Sequence, residues 1–154
     1  MVKRMINVGD RAPDFVLPDG NGKIIRLKDF KGKKIVLYFY PKDDTPGCTK
    51  EACAFQENLA AIKKKDTVVL GVSSDTTSSH EKFSAKFNLQ FPLISDEQKE
   101  AVKTYGVWKE KSMYGRKYFG IERTTFIIDE KGIISHIFPK VKVDGHIQEV
   151  LNVL

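Results

Sequence analysis

Residues 35–53 read IVLYFYPKDDTPGCTKEAC, and the order of chemistry within them decides the fold. The first six residues are apolar and β-prone without a polar break, as in a strand covered on both faces, which places 35–40 in the middle of a sheet. A turn-rich stretch follows. Thr45 then stands where an N-cap belongs and Pro46 at the first helical position, where its missing N–H costs nothing and its fixed φ suits the helix. From there Cys48, Ala52, Phe55, Leu59 and Ile62 recur at helical spacing, and Lys63, Lys64 and Lys65 close the pattern at the negative pole. That stripe should face the sheet.

Working outward, residues 15–17 and 24–27 flank Pro18-Asp19-Gly20-Asn21-Gly22, whose Asp-Gly and Asn-Gly pairs predict an N-terminal β-hairpin. Residues 67–73 read as a second buried strand, and Phe83 and Phe87 mark a helix over 78–87, which completes a βαβ unit. A short strand is expected at 91–94 and a short helix at 97–105. Lys109, Lys111, Arg116 and Lys117 decorate what reads as a connection. Two apolar runs, 124–128 and 133–138, surround Asp129-Glu130-Lys131-Gly132, a hairpin signal. Ile147, Val150, Leu151 and Leu154 form a last amphipathic helix, with Asp144 as its expected cap. The order predicts an α/β fold: a mixed central sheet with helices on both faces and an extra N-terminal hairpin, compatible with a thioredoxin-like architecture. No linker or repeat divides the chain, so residues 1–154 are expected to form a single domain.

Composition narrows the function. With 154 residues, 41% hydrophobic and 30% charged, the chain is too apolar for disorder and too evenly mixed for a membrane protein. Its longest apolar run cannot span a bilayer, and the first dozen residues hold no stretch of signal-peptide length, so a cytoplasmic protein with no membrane partner is expected. The formal charge of +6 is spread over lysines interleaved with acids and accompanied by no reading motif, which points to a solvated surface and no nucleic acid. Gly22-Lys23 is followed by Ile24, which denies a phosphate-binding loop. Zinc takes about four ligands, and the two cysteines and His80, His136 and His146 show no such spacing. Neither metal nor cofactor is expected.

A pair of cysteines in such a protein points to redox chemistry more often than to a structural staple. Cys48 falls in the first turn of its helix, where unpaired N–H groups and the positive end of the macrodipole favour a thiolate. Acidity alone achieves little. Lowering a thiol pKa from ~8.5 to ~6 raises the thiolate fraction about thirty-fold at neutral pH but weakens each thiolate about thirteen-fold, a net gain of about two. A fast reaction therefore needs donors arranged beforehand around the substrate. Thr45, one turn before Cys48, can turn its hydroxyl into the same space or simply cap the helix. Arg123, at the entrance of the run 124–128, offers five donors and a permanent charge, unless it is a solvated arginine paired with Glu122. Cys53 lies five residues beyond Cys48. On a helix that means Cα atoms about 8.6 Å apart, beyond the ~7 Å limit for a disulfide, so pairing requires the helix to unwind.

Residues 38–53, YFYPKDDTPGCTKEAC, resemble the active-site signature of the peroxiredoxins, within them the bacterioferritin-comigratory or Q-type branch. The resemblance extends through VGDRAPDFVLPDGNG, PLISD at 92–96, YGVWKEKSMYGRKYFGIERTTFIID at 105–129 and VDGHIQEVL near the end. It implies a thioredoxin-like fold, Cys48 as the peroxidatic cysteine, and Pro41, Thr45 and Arg123 as the other members of the active-site quartet, with Pro41 shielding the pocket. It also implies Cys53 as a resolving cysteine that forms an intramolecular disulfide with Cys48. Thr45 stands where a dithiol oxidoreductase would carry its first cysteine, and no CxxC exists, which argues against general disulfide exchange. The reading is a thiol peroxidase for hydrogen peroxide and organic hydroperoxides. Its expected partners are the peroxide and a thioredoxin-like reductant, and its expected state is a monomer or weak homodimer. The competing reading is a redox sensor or binding module switched by the Cys48–Cys53 disulfide.

Overall fold

Alternation along one strand organises the molecule. The computed structural model describes residues 5–154. In β3 (Lys34–Phe39), Ile35, Leu37 and Phe39 enter one hydrophobic core, while Val36 and Tyr38 enter another, on the opposite face of the sheet. A strand covered on both sides has no polar face to show, which is why its sequence reads as an unbroken apolar run. β3 lies at the centre of a five-stranded sheet. It pairs in parallel with β4 (Thr67–Ser73), and β4 with β5 (Leu93–Ser95). On its other side it pairs antiparallel with β8 (Thr124–Ile128), and β8 with β9 (Ile134–Phe138).

The mixed thioredoxin-like sheet expected from the sequence is thus present, as is the N-terminal hairpin, β1 (Val16–Pro18) against β2 (Ile24–Arg26). Helices α1 (Pro46–Glu57), α2 (Leu59–Lys64), α3 (Thr77–Phe87) and α5 (His146–Asn152) contribute to one core, and α4 (Glu100–Thr104) contributes to the other.

Three expectations are corrected. The helix starting at Pro46 does not run unbroken to the lysines: Asn58 interrupts it, with φ −105° and ψ 7°, and its side-chain amide donates to the Ala54 carbonyl at 2.9 Å. That bond competes with the helical ladder. Cys48, Ala52, Phe55, Leu59 and Ile62 nevertheless all reach the core against the sheet. Asp144 does not cap α5, because Gly145 holds the N-cap and the Asp144 carboxylate pairs with Lys50 of α1. The supposed connection at 109–117 is a hairpin of its own, β6 (Trp108–Met113) against β7 (Arg116–Ile121), closed by Tyr114 and Gly115 at φ 52° and 78°. No helix among the described residues is long and apolar enough to cross a membrane.

Candidate active site

The antiparallel register sets Phe39 opposite Thr124, so Arg123 stands at the sheet end from which loop 41–45 leaves for α1. Arg123 and Cys48 are brought together there, 75 residues apart in the chain. The Arg123 Nη2 group donates to the Cys48 sulfur at 3.4 Å, and Nη1 donates to Glu51 Oε1 at 2.6 Å. The guanidinium is therefore held by two anchors on α1, the sulfur and a carboxyl one turn later on the same face. It does not pair with Glu122. Space is reserved for this geometry at Gly47, where a Cβ would stand 3.1 Å from Arg123 Nη2.

Glu51 escaped the sequence reading, since an acid in a helix ordinarily faces water; its position three residues after Cys48 was the available signal. Its side chain is 2% exposed against 17% for Arg123, and its second oxygen, Oε2, is buried without a partner. Burial drives the Glu51 pKa up and the charge and hydrogen bond of Arg123 pull it back, leaving it at about 7. Burial is also the largest single influence on the Arg123 guanidinium, and it pushes that pKa down. There the charges of Glu51 and Cys48 outweigh it and raise the Arg123 pKa above its ordinary value, so the cation persists at any working pH.

The Glu51 shift has a sign that stability measurements read directly. Between the ordinary carboxyl value of 4.5 and about 7 the folded chain keeps a proton that the unfolded chain has released. Stability contributed by this group is therefore full below about pH 4.5, falls as pH rises through about 7, and is flat beyond, a change of about 3 kcal/mol. Chemical denaturation of wild type and Glu51→Gln from pH 5 to pH 8 should show that slope in the wild type and its loss in the variant. Parallel profiles would mean that Glu51 ionises like an exposed carboxylate.

Thr45 occupies the N-cap position of α1, but its hydroxyl makes no cap bond and instead donates to the Lys42 carbonyl at 2.9 Å. Its only proton is thereby used, so any further hydrogen bond at this oxygen is one that it accepts. Cys48 is the third residue of α1 and buried, 2% exposed, and the first-turn N–H groups around it lack helical acceptors. Pro41, half-buried, opens the same loop. Cys53 is half-buried on the next turns of α1; burial and the charge of Glu57 raise its thiol pKa. Both cysteines are free thiols on one uninterrupted helix, so the structure does not bring their sulfurs together.

The loop itself is pinned by Asp43. Its carboxylate accepts from the Tyr40 hydroxyl at 2.6 Å and the Ser79 hydroxyl at 2.7 Å and pairs with His80 Nδ1 at 2.6 Å, while its N–H donates to Asp75 at 2.8 Å. His80 Nε2 donates to the Ile94 carbonyl at 3.0 Å. Asp43, Asp75 and His80 have the chemistry of metal ligands and lie within 4.8 Å of one another. Their ligand atoms are already engaged by chain groups, which makes the cluster an anchor that ties loop 41–45 to β4 and α3.

A protein-family model described as the AhpC/TSA family matches residues 8–137. A Coxiella burnetii protein assigned as peroxiredoxin bcp is 54% identical over 95% of this chain and 97% of its own length, and peroxiredoxin Bcp of Bacillus subtilis is 46% identical over 97% and 95%. Among solved structures, PrxQ of Xylella fastidiosa superposes with a TM-score of 0.92 at 40% identity, covering 97% of this chain and 95% of that one. A bacterioferritin comigratory protein of Xanthomonas campestris, studied for its alkyl peroxide reduction activity, gives 0.86 at 41%, covering 90% and 88%.

Proposed function

The chain belongs to the AhpC/TSA family, with Bcp and Q-type peroxiredoxins as its relatives, and on that premise we propose that it is a thiol peroxidase whose reacting sulfur is Cys48. The observation that carries the assignment is the guanidinium placed on that sulfur. The Cys48 thiolate attacks the hydroxyl-bearing oxygen of a hydroperoxide; the S–O bond forms, the O–O bond breaks, and its electron pair leaves on the other oxygen, which takes a proton to become alcohol or water. Cys48 becomes a sulfenic acid. An oxygen approaching the sulfur comes within reach of Arg123 Nη2, 3.4 Å away, so charge growing along the O–O bond meets a cation already in place. Thr45 accepts the peroxide's proton side. Pro41 and the burial of Cys48 keep water from the site.

Cys53 then attacks the sulfenic sulfur, expelling water and forming a disulfide. Both residues lie on α1, so its first turns unwind for this step. Gly47 suits that demand, being a weak helix former in the first turn. A thioredoxin-type dithiol protein reduces the disulfide. The two cores share one sheet, which supports reading residues 1–154 as one domain; the proposed setting is the cytoplasm and the proposed state a monomer or weak dimer.

The test is an NADPH-linked assay with thioredoxin and its reductase, comparing hydrogen peroxide with a bulky organic hydroperoxide. Many equivalents of peroxide consumed per chain support the peroxidase. Consumption that stops at one equivalent belongs to a sensor and contradicts it.

A further inference from the structure

Holding an ammonium half out of water beside a guanidinium is electrostatically unfavourable unless an anion offsets it. Lys111 is held in this way. Its neighbours on β6, Lys109, Glu110, Ser112 and Met113, are exposed, whereas Lys111 is half-buried. Its stem lies over Gly120, where a Cβ would touch Lys111 Cδ at 3.5 Å, and Nζ donates to the Ile121 carbonyl at 2.7 Å. Ile121 is two residues before Arg123, so the side chain folds back to the base of the hairpin, to the segment that carries Arg123, and not into water. The charges that act on it include those of Arg123 and Cys48. Lys117 of the same hairpin pairs with Glu110, but among the described residues no carboxylate forms a salt bridge with Lys111. Two anions offset burial and the Arg123 charge, Glu122 first and then the Cys48 thiolate, and of these Cys48 is the one at the reacting centre.

We propose that Lys111 supplies a second fixed positive charge to the peroxide site, stabilising the hydroxide or alkoxide that leaves as Cys48 is oxidised. The step is the one given above: the sulfur forms its bond to the hydroxyl-bearing oxygen, the O–O pair departs on the other oxygen, and that oxyanion is protonated from water. Lys111 contributes charge, and no proton need leave it. The inference rests on the thiol-peroxidase reading.

The test compares two reactions of Cys48 in wild type, Lys111→Gln, Lys111→Met and Lys111→Arg, with native folding checked by circular dichroism. One is oxidation by hydrogen peroxide, followed by stopped flow; the other is alkylation by the neutral reagent N-ethylmaleimide. Lys111→Gln and Lys111→Met should slow oxidation about tenfold or more while alkylation changes by less than about twofold, and Lys111→Arg should recover most of the oxidation rate. Oxidation unchanged in both neutral variants, equal slowing of the two reactions, or an arginine variant no faster than glutamine each overturn the proposal. The methionine variant keeps the packing of the stem if glutamine unfolds the hairpin. A wild-type chain that fails to react with peroxide would overturn the peroxidase reading instead.

Discussion

Cys48→Ser abolishes peroxide turnover in the thioredoxin-coupled assay, a loss on the order of 10⁵-fold, as when the nucleophile is removed from other enzymes. The hydroxyl is nearly isosteric with the thiol and can accept from Arg123 as the sulfur does, so the variant keeps its fold and the loss is chemical. It is not ionised at neutral pH, and attack by its oxygen would exchange one weak O–O bond for another where sulfur gains an S–O bond. A melting temperature within a few degrees of wild type separates this outcome from unfolding. Retained turnover would move the chemistry to Cys53, the chain's other thiol.

Cys53→Ser has an effect of comparable size on steady-state turnover but leaves the first oxidation intact. Cys48 still reacts with peroxide at wild-type speed, because the guanidinium that serves the sulfur is held by Cys48 and Glu51, both unchanged in the variant. The sulfenic acid then has no thiol within its own chain to condense with. One equivalent of peroxide is consumed rapidly, a dimedone adduct appears at Cys48, and turnover with thioredoxin stops. Wild type, oxidised by one equivalent, instead forms the intramolecular disulfide and loses part of its helical circular dichroism, since a regular α1 holds the two Cα atoms about 8.6 Å apart. Unchanged multiple turnover in Cys53→Ser would remove its resolving role, and a disulfide formed without helix loss would show that α1 need not unwind.

How much of this was legible depended on whether burial left a mark on the sequence. β3 and α1 were readable because both faces of one and one face of the other are covered, giving an unbroken apolar run and a stripe at helical spacing. The β6–β7 hairpin escaped because both of its faces are largely exposed, so its residues follow water and leave no period; Tyr114-Gly115 was the one local signal of a turn. At the site, the position of Arg123 followed from where the strand TTFIID begins, but its partner did not. Adjacent residues of an extended chain point to opposite sides, so Glu122 is poorly placed to hold Arg123, and the carboxyl that does so comes from α1, 72 residues away. Long-range pairs of this kind leave no trace in a single sequence. The same holds for Asp43, which looked like one acid of a turn and is the buried pin of the loop. Thr45 was correctly placed at the helix start, while the direction of its hydroxyl was set by the Lys42 carbonyl, a local bond that residue type alone does not reveal.

The central claim is that a preplaced guanidinium polarises the peroxide as well as steadying the sulfur. The most direct measurement is the pair of second-order rate constants of Arg123→Ala at Cys48, one for hydrogen peroxide and one for a neutral alkylating agent, each relative to wild type. Oxidation is predicted to fall by about 10²–10³ and alkylation by less than about tenfold, because only the first reaction places charge on a leaving oxygen. Equal slowing of the two would contradict the account and reduce Arg123 to an attendant of the thiolate.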